Sequence, residues 1–176
     1  FLAGPAPFPA AAALGKGLGR LAYYLLPARR KTALENIAQC PALPAGINRK
    51  KLARDSFAHL GLVGTEFVKF YNYTPEKIFS CVEITGREHL SAVLQKGKGA
   101  VIISSHLGNW ELMGMALAVA GYPLRPLVKK QKNRLFDRLI NEKRRSVGMN
   151  PLPVGFTLRE IIRALNRNEA VVFLMD

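Results

Sequence analysis

His106 and Glu111, five residues apart between Gly99 and Gly114, are the side chains in this sequence best placed for proton transfer. Ala100 to Ile103 is a short apolar run with β-branched residues, the pattern of a buried strand. Ser104 to Asn109 interrupts it, and from Trp110 the apolar residues Leu112, Met113, Met115, Ala116, Leu117 and Val119 continue over a length that favours helix. Within one continuous helix, five positions turn two side chains roughly 140° apart, too far to meet easily. With His106 in the turn before the helix and Glu111 in its first turn, that obstacle disappears. An imidazole whose far nitrogen is held by a carboxylate takes a proton from a hydroxyl or thiol, as the orienting half of a triad. A packed histidine and a carboxylate that merely complements a helix dipole use the same residue types, so spacing alone leaves both readings open.

The elements that must position this pair come from an alternating rhythm that starts at Cys81. Cys81 to Thr85 reads as a short strand, Glu88 to Gln95 as a helix, and residues 96–99 as a turn before the strand and helix around His106. Tyr122 to Val128 is a strand broken by Pro123 and Pro126, Leu135 to Val147 a helix, and Pro151 to Val154 a short strand. Thr157 and Glu160 form a capping box for a helix to Leu165, and Ala170 to Met175 closes as a strand. This alternation predicts an α/β fold with a central, largely parallel sheet flanked by helices. In such sheets ligands gather at the carboxyl ends of strands. His106 follows one strand end and Asp176 another, and Arg138, Lys143, Arg144 and Arg145 crowd the helix expected beside them. Cations there suit phosphates or a developing oxyanion, and equally a solvated helix face.

Before Cys81 the chain is helical in pattern. Residues 1–28 read as the tail of a membrane anchor or as an interfacial helix. The stretch is apolar, with Tyr23 and Tyr24 at headgroup depth, but Lys16, Arg20 and the prolines keep it below the roughly 20 apolar residues of a spanning helix. A buried N-terminal helix fits the same residues. Residues 29–176 form the α/β domain. Asn48 opens a long amphipathic helix with Leu52, Phe57, Leu60, Val63, Phe67 and Phe70 expected on its inner face. The start at Phe1 and the stop directly after a strand-like run predict a piece of a longer chain, truncated at the C-terminus.

The formal net charge of +14, from 26 Lys and Arg against 12 Asp and Glu, predicts an anionic partner. A hydrophobic content of 49% suffices for a core. Cys40 and Cys81 stand apart without a Cys or His cluster, which argues against zinc and a disulfide framework. Gly15 to Arg20 and residues 96–99 miss the Walker pattern, Ser104 and Ser105 lack the nucleophile elbow, and His59 and His89 have no ligand partner at helical spacing. The Lys and Arg clusters do not alternate with aromatics, which argues against nucleic acid, although a basic nucleic-acid-binding or membrane-surface module is the alternative of another class.

Ser105, His106, Leu107, Gly108, Asn109, Trp110 and Glu111 resemble the HX4(D/E) motif of the glycerolipid acyltransferase superfamily. The flanks Arg29 to Ile37, Leu52 to Leu60, Arg125-Pro126, Leu135 to Ile140 and Val172 to Asp176 are similar to the lipid A biosynthesis acyltransferases, the late lauroyl and myristoyl transferases, from about residue 18 onward. The resemblance implies a glycerolipid-acyltransferase-like fold with membrane-associated N-terminal helices, on the cytoplasmic face of a bacterial inner membrane. It implies acyl transfer from acyl-acyl carrier protein to a hydroxyl of a lipid A precursor or related glycolipid, or of a lysophospholipid. His106 is then the general base and Glu111 its orienting carboxylate. Arg144, with Arg145 as alternative, takes the substrate phosphate or oxyanion, and Asp176 matches the first Asp of a D-x-D segment. Arg125 and Asn109 join them as substrate-binding candidates. The implied partners are acyl carrier protein, the glycolipid and the anionic membrane surface, with no nucleic acid, no metal and no cofactor beyond the carrier-bound co-substrate.

Overall fold

The computed structural model describes residues 7–155 and 158–175, and divides between Asn72 and Tyr73 into two compact units. The first is helical: α1 (Phe8–Leu25), α2 (Pro27–Gln39) and α3 (Arg49–Tyr71). Leu26 precedes a proline, is disfavoured from helical geometry for that reason, and separates α1 from α2. Asn48 caps α3, its side chain accepting from the Lys51 N–H at 2.9 Å. No helix among the described residues is long and apolar enough to cross a membrane.

α1 and α3 approach through glycine. A Cβ on Gly15 would sit 2.6 Å from the Gly61 carbonyl oxygen, and one on Gly19 would collide with the Phe57 carbonyl and stand 2.9 Å from the Ala58 Cα. The contacts run in opposite senses along the two helices, so they are antiparallel. Ala11, Gly15, Gly19 and Tyr23 are therefore the buried face of α1, and Ala53 and Ala58 are buried on α3. Of the residues expected on the inner face of α3, Phe70 is buried and Leu52, Phe57, Val63 and Phe67 are half-buried, whereas Leu60 is corrected to the outside at 62% exposure. Large residues at these crossings would hold the backbones apart, whereas small ones let them touch. Phe57 instead packs edge-on against Tyr23, ring centroids 5.6 Å apart.

The second unit is the α/β layer. Its sheet has the order β1-β4-β2-β3, every pair parallel, from β1 (Ala100–Ser105), β2 (Leu124–Val128), β3 (Leu152–Pro153) and β4 (Ala170–Met175). Between them run α6 (Trp110–Val119), α7 (Arg134–Ser146) and α8 (Leu158–Asn166), the crossovers that parallel strands require. Ala170 and Val171 at the start of β4, Leu124 of β2, and Met115, Ala116 and Ala118 of α6 form the core. Thr157 of the expected capping box lies outside the described residues.

Cys81 to Thr85 is not a strand. α4 (Pro75–Ser80) ends there, with the Cys81 N–H on the Ile78 carbonyl at 3.1 Å, and an open loop leads to α5 (Arg87–Leu94). Thr74 starts α4 by accepting from the Lys77 N–H, with Pro75 at the first helical position. The β-branched residues that suggested a strand find no strand partner among the described residues. At the other end of the unit, Gly99 has φ +70° and sits where a Cβ would stand 2.7 Å from the carbonyl oxygens of Leu165 and Glu169. The Asn168 side chain accepts from the Gly99 N–H at 2.9 Å, so the turn before β4 fixes where β1 begins.

The close crossing makes a paired prediction. Gly61→Val, whose Cβ would strike Gly15, is expected to destabilise the protein by about 1–3 kcal/mol or more. Gly17→Ala in the same helix pair, with nothing within 4 Å, is expected to stabilise it by roughly 0.5–1 kcal/mol. Urea unfolding of both variants measures the difference, and equal effects would remove the crossing as the cause.

Candidate functional site

β1 ends at Ser105, four residues turn the chain, and α6 begins at Trp110. Gly108 takes φ +61° within that turn. Asn109 caps α6: its side-chain oxygen accepts from the Leu112 N–H at 3.0 Å and its carbonyl from the Met113 N–H at 3.1 Å. The strand, turn and helix read from the sequence thus stand, with His106 in the turn and Glu111 at the second position of the helix.

His106 is exposed, and its ring meets Trp110 edge-on, centroids 4.7 Å apart and planes at 80°. The carboxylate of Glu111 is held by α7. Arg144 donates Nε–H to Glu111 Oε2 at 3.1 Å and Nη2–H to Oε1, a two-point pair with the side chains only 11% and 13% exposed. Arg144 Nη1–H goes to Asn141 Oδ1 at 3.2 Å, and Asn141 Nδ2–H to the Asp137 carbonyl at 2.8 Å. A chain of hydrogen bonds therefore links the backbone of α7 to the carboxylate, with Arg144 donating both to Asn141 and to Glu111.

The geometry of α7 follows from its spacing. Ile140, Lys143, Arg144 and Val147 recur at three- and four-residue steps and are buried together, so the inward face carries two cations. Lys143 satisfies its ammonium on the Tyr73 carbonyl at 2.6 Å. Burial lowers its pKa below the usual lysine value, so this group adds stability as pH rises from the lowered value toward the ordinary one. After α7 the chain folds back, Met149 N–H bonding the Arg144 carbonyl at 2.9 Å, and the Met149 side chain lies where a Cβ on Gly114 of α6 would meet it at 3.0 Å. The absent side chain at Gly114 is what allows this segment to sit against α6.

The other sequence candidates fall elsewhere. Arg145 is exposed on α7, which separates it from its buried neighbour Arg144. Arg125 lies near the start of β2, level with Val171 of β4 and so with Val101 of β1. Five residues of strand from there to His106 span about 16 Å. Its Nε lies 3.5 Å from Glu169 Oε2 without hydrogen-bond geometry, and both atoms are buried. Asn109 is the helix cap described above. Met175 pairs with Ser105, the residue before His106, while Asp176 lies outside the described residues. The sequence reading missed Asn141 and the burial of Lys143. The signal was the three-residue step from Asn141 to Arg144 beside the buried row of α7.

Comparison with known proteins bears on the same stretch. The family described as bacterial lipid A biosynthesis acyltransferase matches residues 2–176. The lipid A biosynthesis palmitoleoyltransferase of Escherichia coli (strain K12) is 23% identical over 171 residues, 97% of this chain and 55% of the relative. The lipid A biosynthesis lauroyltransferase of the same organism is 25% identical over 170 residues, with the same coverage of 97% and 55%. The phosphatidylinositol mannoside acyltransferase of Mycobacterium tuberculosis (strain ATCC 25618 / H37Rv) is 35% identical over 96 residues, 52% of this chain and 30% of the relative. The chain spans about half the length of the Escherichia coli relatives.

The buried pair yields a stability prediction. Arg144→Met leaves the Glu111 carboxylate unpaired in a largely desolvated place and is expected to cost about 3–5 kcal/mol. Adding Glu111→Gln removes that charge and is expected to recover part of the loss. A double-mutant cycle by chemical denaturation checks this, and strict additivity of the two changes would contradict the pairing.

Proposed function

The chain belongs to the bacterial lipid A biosynthesis acyltransferase family, and we propose that it moves a fatty acyl group from an acyl-acyl carrier protein thioester to a hydroxyl of a lipid A precursor, with His106 as general base. The observation that carries this reading is the carboxylate of Glu111, clamped by Arg144 in the first turn of the helix that directly follows the His106 turn.

An alcohol is a poor nucleophile near neutral pH, so its proton must leave as the new bond forms. His106 takes that proton while the hydroxyl oxygen adds to the thioester carbonyl. The tetrahedral oxyanion then collapses, the C–S bond breaks, and the imidazolium returns a proton to the departing sulfur. Glu111 orients the imidazole and offsets its charge. The cap on α6 occupies the N–H groups of Leu112 and Met113, leaving those of Trp110 and Glu111 at the helix start to face developing negative charge. Arg144 spends Nε, Nη1 and Nη2 on Glu111 and Asn141, so its role here is to position the carboxylate rather than to bind phosphate. Arg125, remote from His106 along the strands, serves as a partner of Glu169.

One observation favours a second acceptor. The stretch shared with the mycobacterial relative is 35% identical over 96 residues. That supports a phosphorylated, mannose-bearing glycolipid as the alternative hydroxyl donor, with the same chemistry.

The site of action is a membrane surface, on the cytoplasmic face of the bacterial inner membrane. Leu14, Leu18, Leu21 and Leu25 follow one another at helical steps on α1 and are all exposed, since the glycine face is committed to α3. Arg29, Arg30 and Lys31 follow this stripe on α2 and give it a cationic margin at one end, whereas Lys16 and Arg20 lie on the other side of α1. An apolar stripe with a cationic margin is the pattern of a helix lying in an anionic interface.

Two measurements test the proposal in the full-length protein. His106→Ala and Glu111→Gln are each expected to lower acyl transfer to a lipid A precursor by about 10²–10⁴-fold with the fold retained by circular dichroism. Transfer near the wild-type rate by either variant sinks the mechanism, and transfer to mannosylated acceptors alone moves the assignment to the second reading. Leu18→Glu with Leu25→Glu is expected to abolish flotation with phosphatidylglycerol vesicles, and undiminished flotation removes the α1 stripe from membrane binding.

A further inference from the structure

We propose that the loop between β2 and α7, residues 129–133, together with Arg134 at the start of α7, is the docking surface for the acidic carrier that delivers the acyl thioester. This inference rests on the transfer reading above and adds to it the place where the donor protein sits.

Lys129, Lys130, Lys132 and Arg134 put four cations into six consecutive positions, and all four are exposed. Ion pairs among the described residues involve none of them. Asp137, the nearest acidic residue along the chain, has its Oδ1 occupied by the Gln131 N–H at 2.8 Å. Four cations face that one carboxylate, which makes no ion pair with any of them, so most of the positive charge is uncompensated within its own segment.

The loop is nevertheless built. Gln131 is tied at its backbone to Asp137 and through Nε2–H to the Lys129 carbonyl at 3.0 Å. Asn133 accepts from the N–H groups of Leu135 and Phe136 at 3.0 and 3.1 Å, closing the first turn of α7. A cationic loop held by its own hydrogen bonds loses little freedom when a partner arrives. Two large apolar side chains stand beside it, Leu135 at 57% exposure and Phe136 at 41%. Apolar anchors with charge around them are the composition of a protein interface.

Position links this surface to the chemistry. β2 leaves the sheet at Val128, and continuing its register with β4 sets Val128 level with Leu174, which pairs with Ser104 of β1. β1 and β2 flank β4, so the loop starts about 10 Å across the sheet from the strand that ends at His106. A carrier seated there faces the reacting edge, within reach of a thioester on a flexible arm.

A bilayer and a phosphate headgroup offer the same sign of charge but fit less well. The apolar content of the loop is two side chains at one end, against the continuous leucine stripe of α1, so insertion into lipid gains little. The Gln131 N–H is spent on Asp137, so the backbone at the middle of the loop has no donor there for a phosphate. Dispersed, hydrated ammonium groups steer and orient a broad acidic face.

The test uses the full-length protein with Lys129, Lys130 and Lys132 all changed to Glu, alongside the corresponding Lys→Arg triple. Binding of holo acyl carrier protein is measured by fluorescence anisotropy across a salt series. The charge reversal is expected to weaken binding at least tenfold and to flatten its salt dependence, and the arginine triple to retain both. In turnover, KM for the carrier-bound donor rises at least tenfold with kcat nearly unchanged, while the same acyl group on pantetheine alone reacts as in the wild type. Equal loss with both donors, or carrier binding that survives charge reversal, overturns the proposal. Loss of phosphatidylglycerol vesicle flotation with carrier affinity intact overturns it in favour of the membrane. Should the wild type transfer from no donor at all, the transfer reading fails by itself. The anisotropy then still decides: carrier binding lost on reversal supports the surface, and absence of binding by the wild type overturns it.

Discussion

The two-point pair between Arg144 and Glu111 is the interaction on which the arrangement of the second unit turns. Both side chains are nearly removed from water, where an ion pair survives only with good geometry and its remaining donors satisfied. The structure meets both conditions, by the parallel Nε and Nη2 bonds and by Asn141 on Nη1. Such a pair adds less to stability than an apolar contact of the same volume. What it adds is position: the carboxylate has one place to be, and α6 and α7 have one register in which to supply it. The lysine on the Tyr73 carbonyl and Met149 against Gly114 serve the same end, since each fixes α7 or its continuation relative to the rest of the unit.

A similar trade governs the helical unit. α1 has apolar residues on most of its circumference, and the choice of which to bury is made by size. Glycine and alanine let two backbones come within contact distance, so that face goes to α3, while the leucines, which would hold the helices apart, are left outside. The exposed stripe is thus a consequence of the way the pair packs. A hydrophobicity pattern reports that a helix is apolar, and the small residues report which side faces protein.

That distinction explains what could be read in advance. The strand, turn and helix around His106 were legible because three signals agree there: a β-branched run, a break, and a capped apolar segment. The parallel sheet followed from alternation, whereas Arg144 was singled out by resemblance alone, and its burial in the row of Ile140, Lys143 and Val147 became visible only in the structure. The inner face of α3 was legible except at Leu60, which shares the helical steps of Phe57 and Phe70 but is left exposed, because apolar spacing does not report where small residues make the crossing. Residues 81–85 misled for a related reason. Val82, Ile84 and Thr85 have strand propensity, but propensity acts only when a partner strand is available, and Thr74-Pro75 had already committed the preceding residues to a helix. Arg125 sits on the proper strand but at the wrong end of it, and distance along a strand has no signature in residue type.

The same logic separates the two arginines that close α7. Arg144 and Arg145 carry the same charge and adjacent numbers, and a helix turns about 100° between them, which sends one inward and the other to water. Inside, the guanidinium finds a carboxylate and an amide in the geometry its fork requires, and a lysine in its place offers a single point of charge that leaves part of the carboxylate unmet. Arg144 is therefore suited to hold Glu111 in one place in the first turn of α6, directly after the turn that carries His106. Arg145, hydrated and mobile on its stem, is suited only to add to the field outside. Positive charge is common in so basic a chain, and burial with a defined acceptor is what gives one cation among 26 a fixed place beside Glu111.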